Sequence, residues 1–193
     1  FDTSLKGDTT VFFHKSKLTP EITTTGSFEK GWKLINNHWW LYKVGNQKQI
    51  FSELFCYEFA KLINLKTAKY EYKDGDIRSK NFAEKYNFEP IASLADDNDS
   101  YEYIFAILYK LNKRIAKDYL KMIMFDSVVY NVDRHNENLG LLRDRDTGKI
   151  LSLAPNYDNN LALFSSVDTL KESKKDAFLQ MFVKFLKSNK EIA

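Results

Sequence analysis

Asn131-Val132-Asp133-Arg134-His135-Asn136-Glu137-Asn138 places a run of polar side chains directly behind Tyr119–Tyr130, which reads as a buried helix through Met122, Ile123, Met124, Phe125, Val128 and Val129. A polar run in that place needs a reason. Asp133 and Asn138 are five positions apart, and a loop of that length can aim both side chains into one cleft, where a carboxylate takes up a proton and an amide oxygen ligates a hard cation. Downstream, Leu139–Leu142 and Ile150–Leu153 flank Asp144-Arg145-Asp146-Thr147-Gly148, a hairpin with turn residues at its tip. The hairpin returns the chain to its start, so Asp158, twenty positions after Asn138, is expected beside it. Taken singly, Asp133 and Asp158 read equally well as turn caps. Taken together they read as a site where a cation bridges phosphates.

Around this stretch the chain has 193 residues, 44% hydrophobic, 28% charged and 15% aromatic, which fits a globular core and excludes both disorder and a many-domain assembly. The net charge, 29 − 26 = +3, comes from interspersed signs and is too mild to argue for direct nucleic-acid binding. The longest apolar run, Ile104–Tyr109, falls far short of the roughly 18 residues of a membrane span. No signal segment is evident, and the single Cys56 excludes an internal disulfide, so a soluble cytoplasmic protein without a membrane partner is expected. Cys56 reads as a core residue rather than a nucleophile, because no His accompanies it in a triad-like pattern. The chain starts at Phe1 rather than Met, which is compatible with a fragment.

The pattern changes near residue 80. Short β-branched and aromatic runs at Val11–Phe13, Lys33–Ile35, His38–Val44 and Thr67–Tyr72 predict strands, with Trp39 and Trp40 on opposite faces of the sheet. One helix interrupts them, with Phe51, Leu54, Phe55, Phe59, Leu62 and Ile63 at helical spacing and Ser52 as its cap. Asp74-Gly75 predicts a tight turn into a strand Ile77–Asn81. Beyond the polar loop Asp96–Ser100, helices are expected over Tyr101–Ile115 and Tyr119–Tyr130, with Ser100 as a cap, and Lys171–Lys175 reads as a solvated helix face. The fold class is therefore α+β.

The offset between Asp133 and Asn138 is that between the catalytic Asp and the metal-binding Asn of kinase catalytic loops. Asp133-Arg134-His135-Asn136-Glu137-Asn138 followed by Ala154-Pro155-Asn156-Tyr157-Asp158 resembles the paired signature of the HipA-like serine/threonine kinases. It is similar, more distantly, to phosphoinositide kinases, which also use Asp-Arg-His-x-x-Asn. The resemblance implies a two-lobed protein-kinase-like fold. Residues 1–81 would form a small β-rich amino-terminal lobe with one helix, and 82–193 a mainly helical carboxyl lobe. It further implies ATP and Mg²⁺ as cofactors, Asp133 as catalytic base, Asn138 and Asp158 as Mg²⁺ ligands, and a protein hydroxyl as acceptor. A lipid kinase, or a nucleotide-binding interaction module without activity, is the alternative.

Such a fold requires a paired lysine and a phosphate loop. Lys43 ends its strand in phase with Trp39 and Leu41, and a lysine on an apolar face is costly unless paired. Glu53, ten residues on, is the expected partner, although it also reads as a first-turn acid favouring the helix dipole. Thr23–Gly31 resembles the family's Ser-x-x-Gly-x-x-x-Lys phosphate loop, with Thr23 at the Ser position, so Thr25, Gly26, Ser27 and Lys30 are expected at the nucleotide. An ordinary glycine-containing turn remains the alternative. Walker A is rejected, because Trp32-Lys33 follows Gly31 where that motif needs Lys and then Ser or Thr. By position, Ser79-Lys80-Asn81-Phe82 falls where the family's lobes join, so its backbone, at Ser79 and Asn81, is expected to meet adenine. The resemblance also suggests self-phosphorylation within Thr23–Thr25. His135 reads as an orienting or core residue, since no second His stands at ligand spacing. An antitoxin partner is compatible with the family but unsupported here, because only 22 residues precede the phosphate loop and 35 follow Asp158. Asn159-Asn160 after Asp158 is not Phe-Gly, so no aromatic-flip regulation is expected.

Overall fold

The computed structural model describes residues 30–73, 75–95, 98–163, 165 and 177–189. The expectations for Val11–Phe13, Thr23–Ser27 and Lys171–Lys175 lie outside the described residues.

Strands β1 (Lys30–Ile35) and β2 (His38–Lys43) form a hairpin whose two-residue turn, Asn36-Asn37, has φ of 50° and 61°. Both central residues of such a turn take the left-handed conformation, and Asn tolerates it better than most residues. β3 (Tyr70–Lys73) and β4 (Asp76–Lys80) form a second hairpin across Gly75, at φ 91°. All pairings are antiparallel and the order is β1-β2-β4-β3.

Helix α1 (Gln47–Leu62) connects β2 to β3. Its cap is Asn46, not Ser52: Asn46 Oδ1 accepts from Gln49 N at 3.0 Å and Gln49 Oε1 accepts from Asn46 N at 2.9 Å. This reciprocal box sets the cap six residues before the one expected at Ser52. Ser52 is buried instead, donating to the Ala162 carbonyl at 2.8 Å. The apolar stripe is also split. Leu54 packs on Ala68, Tyr70 and Ile77, and Phe59 on Phe125, whereas Phe51 is 58% and Leu62 80% exposed. Small or charged residues, Ser52, Glu53, Cys56 and Ala60, form the innermost line of the helix and let it approach the rest of the molecule closely.

The second sheet, β5 (Tyr86–Pro90), β6 (Gly140–Asp144) and β7 (Ile150–Leu153), contains the expected hairpin plus a strand that the sequence reading lacks. Tyr86-Asn87-Phe88-Glu89 does alternate apolar and polar, but β5 is only five residues long and ends in Pro90, which weakens a strand reading. Gly140 is required where β5 and β6 touch, since a Cβ there would meet the Phe88 ring and come within 2.7 Å of the Glu89 carbonyl.

The helical half comprises α2 (Ala92–Ala95), α3 (Tyr101–Leu111), α4 (Lys113–Val128) and α5 (Ala177–Ser188). The break between α3 and α4 falls at Asn112. Its N–H closes α3 on the Leu108 carbonyl and its side chain accepts from Arg114 N, both at 2.8 Å, so two helices replace the expected boundaries. Ser100 stands at the N-cap of α3, but its hydroxyl donates to Asn98 rather than capping the helix. α4 is buried through Ile115, Tyr119, Met122, Ile123 and Phe125, while Met124 and Val128 are exposed, contrary to burial on most sides. Ile115, Tyr119, Met122 and Ile123 join Ile91, Ile104, Leu108, Leu139, Leu141 and Phe185 in the main core, while Phe125 packs with Cys56, Ala60, Val129 and Ala162 in a second cluster beneath α1. The two sheets meet where Asn156 pairs with the 66–68 segment, its carbonyl accepting from Ala68 N and its N–H donating to Lys66 O, both at 2.8 Å.

Candidate active site

Alternation along β2 turns Lys43 inward, and the inner line of α1 carries Glu53, 1% exposed. Lys43 Nζ donates to Glu53 Oε1 and, at 2.6 Å, to Asp158 Oδ1. Lys30, at the start of β1, reaches Asp158 Oδ2 at 3.3 Å. Glu53 stands in mid-helix, and α1 has no acid in its first turn, so the dipole reading of Glu53 is dropped in favour of the ion pair. Its second oxygen accepts from Asn159 N at 3.0 Å. Burial works against the charge on Lys43, but Asp158 and Glu53 outweigh it and hold the ammonium well above its ordinary pKa. Burial likewise opposes ionised Asp158, and Lys43 and Lys30 overcome it, keeping the carboxyl well below the usual carboxylate range. Asp158 has φ 57°, a conformation that non-glycine residues adopt at a cost, and its N–H donates to the Tyr70 hydroxyl at 2.9 Å.

The loop after α4 brings Asp133 and Asn138 together. Asn138 Nδ2 donates to the Asp133 carbonyl at 3.0 Å and to Asp133 Oδ2 at 3.3 Å, so its amide oxygen is the atom available to a ligand. Burial raises the Asp133 carboxyl above its ordinary pKa; His135 opposes this and Asp158 adds to it. His135 is exposed, its Nδ1 accepting from Glu137 N at 3.2 Å at the start of the short 3₁₀ turn Asn136–Asn138, and its Nε2 is 4.0 Å from Asp133 Oδ1. It is therefore a surface cap beside the carboxylate, not a core residue. Cys56 is fully buried, and burial pushes its thiol far above its ordinary value, as an inert core residue requires.

Of these side chains Lys30, Lys43, His135, Asn138 and Asp158 line a cleft of about 290 Å³, together with Ser79, Asn81, Trp32, Leu41, Tyr70, Phe82, Phe88 and Tyr157, whereas Glu53 and Asp133 stand behind Lys43 and Asn138, to which they are bonded. Phe82, Phe88 and Tyr157 contact one another at ring-centre distances of 5.1 to 6.0 Å and form an aromatic wall. The sequence places the backbone of Phe82 at the lobe junction but gives none of the three rings a role, although Tyr157 adjoins Asp158. Asn81 is committed to the fold: its N–H donates to the Trp39 carbonyl at 2.8 Å and its Oδ1 accepts from Ala83 N at 2.9 Å. Ser79 lies in β4 between Leu41 and Tyr70. Of the phosphate-loop residues, Lys30 reaches the cleft, while Thr25, Gly26 and Ser27 are outside the described residues.

The donor set suits a hard cation. Asp158 supplies a carboxylate and Asn138 an amide oxygen to the same cleft, and Mg²⁺, which keeps several waters and takes phosphate oxygens, needs no more than one or two protein ligands. Among the described residues there is no group of three or more His, Cys, Asp or Glu side chains able to cage a metal.

The sequence matches the model of the HipA-like C-terminal domain over residues 17–191. No curated protein matches it. The structure is similar to that of the proinflammatory kinase CtkA of Helicobacter pylori, with a TM-score of 0.63 and 20% identity over 84% of this chain and 62% of that one. It is also similar to a chain of the HipA, HipB and operator DNA complex of the Shewanella oneidensis MR-1 toxin–antitoxin system, with a TM-score of 0.59 and 13% identity over 86% of this chain and 50% of that one. The chain thus spans less than two thirds of the length of either.

Proposed function

The chain belongs to the HipA-like C-terminal domain family, and from that footing we propose that it is an ATP- and Mg²⁺-dependent phosphotransferase acting on a Ser or Thr hydroxyl of a protein. One observation carries this reading: Lys43 joins Glu53 to Asp158 inside the cleft that Asn138 also lines, the Asn138 amide being bonded to Asp133. Lys43, oriented by Glu53, would bind the α- and β-phosphates, and Asp158 and Asn138 would hold the cation. Mg²⁺, when bound, neutralises the charge of the phosphates. Asp133 accepts the hydroxyl proton as the acceptor oxygen bonds to the γ-phosphorus and the bond to the β–γ bridging oxygen breaks, releasing ADP. Its raised pKa makes it a better proton acceptor than an ordinary aspartate. The aromatic wall of Phe82, Phe88 and Tyr157 offers adenine an apolar face. Residues 1–81 and 82–193 act as the two lobes of this domain. Among the described residues no helix is long and apolar enough to cross a membrane; the lone Cys56 fits a reducing cytoplasm, and the mild charge fits a protein substrate better than nucleic acid.

Incubation with labelled ATP and Mg²⁺, alone, with a generic protein acceptor and with phosphoinositide vesicles, tests the proposal. Label on protein Ser or Thr is expected. Label on lipid would transfer the assignment to the lipid kinases, and label nowhere would leave a nucleotide-binding module.

A further inference from the structure

Arg134 follows the base Asp133, and the mechanism above gives it no task, yet its side chain is 6% exposed and is the most connected in the site. Its guanidinium grips Asp126 of α4 with two nitrogens, Nε to Oδ2 at 2.8 Å and Nη2 to Oδ1 at 3.1 Å. Nη2 also contacts Asn156 Oδ1 at 2.5 Å and Asn159 Oδ1 at 3.1 Å. The remaining nitrogen decides the matter. Nη1 donates to the Asn138 carbonyl at 2.7 Å and to the Tyr157 carbonyl at 2.9 Å. The first belongs to one cation ligand, and the second belongs to the peptide that leads directly into the other, Asp158, whose left-handed backbone needs external support. A single planar group therefore ties together two loops twenty residues apart in sequence.

We propose that Arg134, anchored by Asp126, is a positioning residue that sets the separation of Asn138 and Asp158 and so gives the cleft its affinity for a divalent cation with nucleotide. The inference rests on the kinase reading. Groups that orient metal ligands without touching the metal commonly control its affinity. Lysine cannot replace arginine here, because one ammonium can hold Asp126 but cannot also span two carbonyls in a fixed fork. The Arg134–Asp126 pair has a structural role too, since burial opposes the charge on Arg134 and Asp126 more than restores it. The test must therefore separate positioning from folding.

ADP binding is measured by calorimetry in Mg²⁺ and again in excess chelator, for the wild type, Arg134→Lys and Asp126→Asn, alongside melting temperatures. Wild type should bind more tightly with Mg²⁺. Arg134→Lys should lose about tenfold or more of that metal-dependent gain while its affinity in chelator is kept, the size expected when a ligand-orienting group is removed. Asp126→Asn, which keeps Arg134 and an oxygen acceptor, should lose less in the same direction, and it carries the test alone if Arg134→Lys does not fold. Variants that keep the full Mg²⁺ gain overturn the inference and leave the kinase reading standing. So does a parallel fall of both affinities with the melting temperature, which marks a purely structural residue. A wild type with no Mg²⁺ gain overturns the kinase reading and this inference with it.

Discussion

The cleft is built from two regions that fix charged groups by different physics. On the β2–α1 side, regular elements do the work: strand alternation and helix phase turn Lys43 and Glu53 toward each other, and burial of one opposite charge against another holds them. On the side of the catalytic loop and hairpin the backbone is irregular, with left-handed Tyr130, Asp158 and Leu163 at φ 53°, 57° and 55°. There the side chains of Asp126, Asn131, Asn156 and Asn159 bond to one another or to Arg134, while Nδ2 of Asn156 and of Asn159 is buried without a partner among the described residues. A buried ion pair can be exchanged for an apolar pair of similar shape, whereas a network that holds irregular backbone has no apolar substitute. The two sides should therefore respond differently to mutation.

The largest effect is expected from Lys43→Met, which leaves Glu53 and Asp158 short of a cation and should cost about 3–5 kcal/mol in urea unfolding. Adding Glu53→Gln should recover part of that loss, and a double variant less stable than the single would erase the contrast. Across the cleft, Asn131→Ala removes the bonds to Asp126 Oδ1, Asn159 Oδ1 and Asp133 N and should cost about 1–3 kcal/mol. Asn131→Leu, apolar and of similar size, should recover nothing; recovery there would show that the network is replaceable after all. Asn46→Ala, which breaks the capping box of α1, should cost about 1 kcal/mol without altering nucleotide affinity.

The smallest effect is on pH dependence. Asp158, held below its ordinary pKa, contributes stability that is present above about pH 3.9 and is lost as pH falls through its lower folded value. Asp133, held above its ordinary pKa, has the opposite sign. Asp133→Asn should raise the unfolding midpoint slightly at neutral pH, with the gain gone below about pH 3.9, where the carboxyl is protonated folded and unfolded alike. A lowered midpoint at neutral pH would mean that ionised Asp133 stabilises the fold.

The same contrast explains what could be read beforehand. Lys43 and Glu53 were legible because periodicity fixes where a side chain on a strand or helix points, and Asp133, Asn138 and Asp158 because a hairpin brings them together. The α1 face was misjudged because period alone does not choose which side faces inward: Phe51 and Phe55 stack on each other outside, at 5.8 Å, while Glu53 and Cys56 take the inner line. The cap was present as Asn46-x-x-Gln49 but was masked by the later apolar residues. The Arg134 hub was invisible because its acceptors include two carbonyls, which carry no sequence signal, and its anchor is Asp126, set among the apolar residues at the carboxyl end of α4. That unexplained acid was the one available clue.

The central claim is that Asp158 belongs to nucleotide and cation binding and Asp133 to proton transfer, within one cleft. Calorimetric titration of Asp133→Ala and Asp158→Ala with ATP in Mg²⁺, followed by transfer assays, tests it most directly. The account predicts that both variants lose transfer, that Asp133→Ala binds ATP nearly as the wild type does, and that Asp158→Ala binds it at least about tenfold more weakly, as expected on losing a cation ligand. An Asp158→Ala protein that binds ATP normally while Asp133→Ala does not would contradict it.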